Sequence, residues 1–167
     1  MSSLLLVGAG GAAIVLLLSM SAFFSSSETA IFSLQREWVE QEAATGDRQA
    51  RVLKELHDDP HRLLVTLLVG NNIVNIAISS ITTVLVATYR SAGPAVVVTT
   101  MLTSFLILIF GEIVPKAFGF GNAERWSLTI ASPVRLVERI SKSRIWIDRP
   151  PGIITGHRLS IAQIEGA

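Results

Sequence analysis

Residues 62–120 decide the fold: RLLVTLLVGNNIVNIAISSITTVLVATY (62–89), then Arg90-Ser91-Ala92-Gly93, then PAVVVTTMLTSFLILIFGEIVPKAFGF (94–120). Each long run exceeds the roughly 20 mostly apolar residues that a helix needs to cross a bilayer. Only a tight polar turn separates them, so they read as an antiparallel pair of membrane helices. Pro94 falls at the first helical position, where its missing N–H removes no hydrogen bond. Working outward, residues 4–34 form a third apolar run. No Lys or Arg precedes Leu4, so the charged n-region of a signal peptide is missing. The stretch from Leu4 to Phe24 is also long for a signal core and continues into Thr29–Leu34. It reads as a retained span, with a cleaved signal as the minor alternative.

The composition agrees. Half of the 167 residues are hydrophobic and 16% are charged, against about 25% charged in soluble domains. A formal net charge of +1 without a basic, aromatic-interleaved stripe gives no reason to expect nucleic acid. The absence of cysteine excludes disulfides, thiolate metal sites and Cys nucleophiles. The expected fold class is therefore an all-α integral membrane protein with three spans, about residues 4–34, 62–89 and 94–120.

Basic residues orient the spans. The first connection carries Arg36, Arg48, Arg51 and Lys54. The segment after the third span carries Arg125, Arg135, Arg139, Lys142, Arg144 and Arg149, whereas the second connection has only Arg90. The positive-inside rule puts the N-terminus outside and both basic segments, with the C-terminus, in the cytoplasm. A multi-pass protein of the cell (plasma) membrane, in contact with lipid, is expected.

The first connection reads as a charged helical hairpin broken at Gly46-Asp47, with Asp47 capping a second helix over Arg48–His57 and Pro60 ending the run. After the third span, Trp126, Ile130, Val134, Val137 and Ile140 recur at near-helical spacing among charged residues. This pattern predicts a juxtamembrane belt helix over about 123–147, lying along the inner membrane surface and bent at Pro133. Trp38, Trp126 and Trp146 fall outside the spans, where amphipathic rings favour the interface. Residues 148–167 read as a linker or tail.

Each span carries polar groups in its cytoplasmic half. The first has Ser21, Ser25, Ser26, Ser27 and Glu28; the second has Asn71, Asn72 and Asn75; the third has Glu112, then Pro115 and Lys116. At roughly 1.5 Å per residue, Ser25, Asn71 and Glu112 all lie on the order of 12–14 Å from the inner surface. Ser21, Ser25 and Glu28 share one helix face, as do Asn71 and Asn75. Lipid cannot satisfy such faces, so they turn toward a partner helix or a wet cavity. Pro115 has no N–H, which deprives the Gly111 carbonyl of its helical partner beside the Glu112 carboxylate. Hydroxyls, amide oxygens, a carbonyl and one or two carboxylates suit Mg²⁺, Ca²⁺ or Na⁺ better than zinc or copper. Serine alone more often serves close helix packing, and Glu28 and Lys116 could snorkel at helix ends. Three asparagines within two turns and Glu112 at matching depth favour a cation site over interhelical glue.

At these residues the chain resembles the membrane domain of the CNNM/CorC family of magnesium transporters. The resemblance rests on Ser21-Ala22-Phe23-Phe24-Ser25-Ser26-Ser27-Glu28-Thr29-Ala30, on Pro60-His61-Arg62-Leu63-Leu64 through Gly70-Asn71-Asn72-Ile73-Val74-Asn75, and on Phe110-Gly111-Glu112-Ile113-Val114-Pro115-Lys116. It covers about Leu4–Trp146. It implies a homodimer, a cytoplasmic belt, and a largely dehydrated Mg²⁺ held in each subunit by Ser21, Ser25, Asn75, Glu112 and the Gly111 carbonyl. Glu28, Asn71, Asn72, Pro115 and Lys116 match motif positions with metal or gating roles less fully assigned. Ser26 stands where the family usually has Gly. Family members usually continue into a CBS-domain pair that binds ATP; with none before Ala167, no nucleotide site is expected in this chain, which reads as an excised membrane domain.

The resemblance implies Mg²⁺ efflux, with Na⁺ as the candidate coupling ion, and the leading expectation is an alternating-access transporter. The alternative is a non-transporting membrane Mg²⁺ sensor that regulates a partner. An enzyme is not expected: an intramembrane hydrolase would need a base within reach of a serine, and no His or Lys lies at that depth.

Overall fold

The computed structural model describes residues 3–89 and 93–145. Helix α1 (Ser3–Phe32) is followed by a short hairpin, α2 (Arg36–Ala44) and α3 (Arg48–His57), and by the long α4 (Pro60–Tyr89). The third long element is composite: α5 (Pro94–Leu106), a π-helical segment (Ile107–Ile113) and α6 (Val114–Gly121). Helix α7 (Ala123–Ile145) follows after Asn122 alone. Among the described residues there is no strand, and the fold is an all-α membrane domain.

Three stretches are long and apolar enough to cross a membrane: Val7–Phe32, Pro60–Ala87 and Val96–Gly121. Their outer faces stay apolar, with Val97, Val98, Met101, Leu102 and Phe105 exposed along α5. Water would not tolerate so large a contiguous apolar surface, whereas lipid suits it. The turn expected at Arg90-Ser91-Ala92, Trp146 and the tail over 148–167 lie outside the described residues.

The expected boundaries shift slightly. α1 closes at Phe32 instead of Leu34, and Pro60 opens α4 in addition to following the hairpin. Within the hairpin, Gly46 adopts φ +87°, a left-handed turn that glycine enters without a Cβ clash. The Asp47 carboxylate accepts from the backbone N–H groups of Gln49 (2.9 Å) and Ala50 (3.0 Å), capping α3 as its sequence position predicts.

Helix α1 is the hub. It packs on α4 along one side and on the π segment and α6 along the other, and α7 crosses its hairpin end. Phe24, Ile31, Leu63, Leu67, Val74 and Ile78 build the core of the bundle. The same core continues through Leu53 and Leu56 of α3 to Ile130, Ala131 and Val134 of α7. Ile130 and Val134 are thus buried against protein, while Leu136 and Ile140 remain exposed. Part of the apolar stripe read as facing the membrane surface instead locks α7 to the hairpin. Arg135 pairs with Glu55, Arg62 Nε meets Glu138 Oε1 at 2.8 Å, and the Ser132 hydroxyl donates to Gln49 Oε1 at 2.7 Å. These contacts fix the α2–α3 hairpin and α7 as one platform at the base of the spans.

Candidate cation site

The sequence of α1 puts Ser21 on the face that meets α4, with Asn71 and Asn75 one turn apart on the opposing helix. The Ser21 Oγ lies 2.8 Å from Asn71 Oδ1 and 2.9 Å from Asn75 Oδ1. It also lies 3.5 Å from the carbonyl oxygen of Gly111, so all three spans converge on one hydroxyl. The Asn75 amide is oriented by its other end, where Nδ2 donates to Glu112 Oε1 at 3.4 Å. Ser21, Asn71, Asn75, Gly111 and Glu112 therefore form one connected group.

Backbone geometry makes room for it. The π-helical segment, with Val114 N–H donating to the Ile109 carbonyl, widens the turn that carries Gly111 and Glu112. A Cβ on Gly111 would stand 2.8 Å from the Ser21 hydroxyl, so only glycine admits that hydroxyl at this distance. Pro115 is buried near the start of α6, just past the widened turn. Sequence reading looked only to Pro115 at this turn; the structure adds the widened turn, in which the Gly111 carbonyl oxygen lies 3.5 Å from Ser21 Oγ. An extra residue accommodated within a helix leaves no mark in hydropathy, and the Gly-Glu-x-x-Pro spacing was the only available hint.

The electrostatics are those of a proton-poor oxygen cluster. A hydroxyl has one proton, yet three acceptor oxygens surround Ser21. Among the described residues no cationic side chain pairs with Glu112, and no three of His, Cys, Asp and Glu gather as a metal-ligating group. Ser25, one turn from Ser21, is fully buried and its Oγ has no hydrogen-bond partner. Such a hydroxyl leaves about 1–3 kcal/mol of desolvation uncompensated. It is joined by no hydrogen bond to the Ser21 group.

The remaining candidates lie around this centre. Glu28 Oε2 and Lys116 Nζ face each other at 3.9 Å, linking α1 to α6. Asn72 is exposed on α4, and its side chain hydrogen-bonds to none of the described residues. Ser26 is engaged away from the cluster: it donates to the Phe23 carbonyl and accepts from Trp126 Nε1, each at 3.1 Å.

Three apolar spans that meet at a polar cluster define a polytopic membrane domain. The match to known families is specific: residues 12–155 fit the family described as the Cyclin M transmembrane N-terminal domain, CNNM. The chain belongs to that family, the membrane domain shared by CNNM and CorC proteins, and a role related to divalent-cation transport is consistent with this membership. It is 33% identical over 129 residues to a UPF0053 protein of Haemophilus influenzae, covering 77% of this chain and 30% of that one. It is 38% identical over 98 residues to the UPF0053 inner membrane protein YfjD of Escherichia coli, covering 58% and 22%. A chloroplastic DUF21 domain-containing protein of Arabidopsis thaliana is 34% identical over 116 residues, covering 69% and 17%. The chain thus spans less than a third of the length of these relatives.

Proposed function

We propose that this domain binds Mg²⁺ as its cargo at the Ser21–Asn75–Glu112 cluster and carries it across the membrane outward, coupled to Na⁺ entry. The observation that carries the proposal is the convergence of three acceptor oxygens on the single proton of Ser21. Ligands adjacent on an octahedron about 2.1 Å in radius stand about 3.0 Å apart. The Ser21 Oγ to Asn Oδ1 separations of 2.8 and 2.9 Å match that edge. Rotation of one hydroxyl proton away from the amides turns a hydrogen-bonded knot into an oxygen cage.

Each residue then has a distinct task. Glu112 supplies the fixed negative charge; Asn75 supplies its amide oxygen and holds Glu112 through its amide nitrogen. Ser21 and the Gly111 carbonyl close the cage, and the orphaned Ser25 hydroxyl is a further ligand within reach of a small helix shift. One carboxylate against a divalent ion leaves the ion bound but releasable, which suits transport better than storage. Asn71 offers an additional oxygen, and the Glu28–Lys116 pair stands between α1 and α6 as a candidate gate.

The expected setting is a homodimer in the cell membrane, and the inner-membrane designation of the Escherichia coli relative supports that location. No enzymatic step and no ATP site are assigned to this chain. Mg²⁺ flux through the purified protein in liposomes, with and without an opposing Na⁺ gradient, tests the proposal. Mg²⁺ movement that accelerates with Na⁺ on the opposite side is expected. Mg²⁺-dependent thermal stabilisation without flux would overturn transport in favour of a sensor that regulates a partner.

A further inference from the structure

Helix α1 meets both of its neighbouring spans at glycines. On one side, Gly119 of α6 lies so close to Ser26 that a Cβ would overlap the Ser26 backbone. Backbone rests on backbone there, and the distance has no give. On the other side the spacer is a side chain. The Phe24 ring sits in the notch left by Gly70 of α4, where a Cβ would stand 2.9 Å from Cζ, 3.0 Å from Cε1 and 3.3 Å from Cε2.

This notch adjoins the oxygen cluster. Gly70 directly precedes Asn71, and Phe24 lies one turn after Ser21 on the same side of α1. The ring contact and the 2.8 Å Ser21–Asn71 contact are thus successive rungs of one α1–α4 seam. The ring has little room to retreat. Phe24 is 5% exposed, shares the core with Leu67 and Val74, and meets Phe23 edge-on at 5.7 Å between centroids. Close-packed interiors transmit a displacement instead of absorbing it.

Magnitudes connect the ring to the choice of ion. Carbon–carbon contact is comfortable from about 3.5 Å, so a methyl at position 70 would drive ring and helix apart by about 0.6 Å. A change of that size separates two cations. Oxygens adjacent on an octahedron stand about 3.0 Å apart around Mg²⁺ and about 3.3–3.7 Å apart around Ca²⁺. The Ser21 Oγ to Asn71 and Asn75 Oδ1 distances, 2.8 and 2.9 Å, lie at the Mg²⁺ end. We infer that Phe24, wedged on Gly70, is a positioning residue that fixes the α1–α4 spacing at the cluster and thereby its preference for Mg²⁺ over Ca²⁺. The ring touches no ion and acts only through the width of the cage. This inference rests on the cation site proposed above and adds what sets its selectivity.

Calorimetric titration of Mg²⁺ and of Ca²⁺ against the full chain in detergent reads the ratio of the two affinities, which a merely looser fold would not move. Gly70→Ala should lower Mg²⁺ affinity about tenfold and Ca²⁺ affinity less than about threefold, because the wider cage suits the larger ion. Phe24→Leu alone removes the stop and should also reduce the Mg²⁺ preference. Combined with Gly70→Ala it yields the volume that the methyl takes, so the double variant should recover most of the parent's preference. Gly10→Ala is the control. Its Cβ would meet Leu85 of α4 at 2.7 Å, a comparable overlap on the same pair of helices, about 16 Å from Ser21 along α1. It should lower the melting temperature and leave the ratio unchanged. An unchanged ratio in Gly70→Ala overturns the inference, as does an equal shift in Gly10→Ala or a double variant no better than Gly70→Ala. Should Gly70→Ala not fold, Phe24→Leu decides: an unchanged ratio there overturns the inference too. Failure of the cation site itself is distinguishable, because the parent chain would then bind neither ion.

Discussion

The indole N–H of Trp126 donates to the Ser26 hydroxyl at 3.1 Å, joining α7 to α1 across one hundred residues of sequence. Ser26 is 3% exposed, and the same hydroxyl also donates to the Phe23 carbonyl. Trp126 is held in place by an edge-on contact with Phe118, ring centroids 5.3 Å apart. Ser26→Gly would restore the residue usual in the family, yet it should destabilise this chain. Glycine inside a helix costs about 0.5–1 kcal/mol, and an indole N–H deprived of its acceptor adds about 1–3 kcal/mol. A double-mutant cycle with Trp126→Phe, read by thermal unfolding in detergent, should show a coupling of about 1 kcal/mol. Additive effects would mean that the hydrogen bond contributes nothing.

Two glycines on the third span should respond differently to the same change. A Cβ on Gly119 would overlap the backbone of Ser26, whose Cα and carbonyl carbon are 3.1 Å away. A Cβ on Gly111 meets mainly the movable Ser21 hydroxyl. Backbone cannot yield, so Gly119→Ala should force α6 from α1 and lower stability by about 1–3 kcal/mol or more. Gly111→Ala should alter the melting temperature less but reduce Mg²⁺-dependent stabilisation, because the hydroxyl it displaces is central to the cluster. Thermal melts of both variants, with and without Mg²⁺, separate the two effects.

The distribution of Arg and Lys sets the expected topology: N-terminus outside, α2–α3 hairpin inside. Cysteines at Ser2 and at Gln41, which is exposed on α2, give this a direct check in intact cells. A membrane-impermeant maleimide should label Ser2→Cys and spare Gln41→Cys until the cells are opened. The opposite pattern would invert the orientation.

The spans were legible because a bilayer needs long apolar runs, and nothing in a soluble fold imitates three of them within 120 residues. The cluster was legible for a related reason: polar residues are rare enough at mid-span that matching depths on three helices carry information. Of the three residues in that depth argument, Asn71 and Glu112 lie in the connected group, whereas Ser25 makes no hydrogen bond to it and Ser21, one turn earlier, takes its place. Other features were hidden. The π-helical turn at Ile107–Ile113 changes the backbone register without changing residue type. Ile130 and Val134 look alike whether they face lipid or Leu53 and Leu56, since both surroundings are apolar. The Ser26–Trp126 bond joins positions too far apart for any periodicity to connect them.

Glu112 is the charged member of the cluster, held at 3.4 Å by Asn75 Nδ2. Glu112→Gln keeps the shape and removes the charge. In the absence of Mg²⁺ the variant should melt at or above the parent temperature, because a lone carboxylate within the bilayer is unfavourable until it meets a cation. Added Mg²⁺ should then raise its melting temperature little or not at all. A Mg²⁺ response equal to the parent's would remove Glu112 from the site.

The Asn75 side chain bridges the cluster, with one end on Ser21 and the other on Glu112. Its replacement by alanine removes an oxygen ligand and also releases the carboxylate it positions. Two consequences follow for selectivity. Mg²⁺ demands near-octahedral ligands at about 2.1 Å, whereas Ca²⁺ accepts more numerous ligands at about 2.3–2.6 Å and tolerates irregular geometry. A freed Glu112 and an enlarged cage therefore penalise Mg²⁺ more than Ca²⁺. Calorimetric titration of both ions should show Mg²⁺ affinity falling on the order of tenfold or more, equivalent to about 1.4 kcal/mol, with a smaller loss for Ca²⁺. Asn75→Asp supplies the control: it keeps the oxygen and adds charge, so both ions should bind more tightly while release, and hence flux, slows. Normal Mg²⁺ binding by Asn75→Ala would reduce α4 to a packing helix and leave the cluster without its selective element.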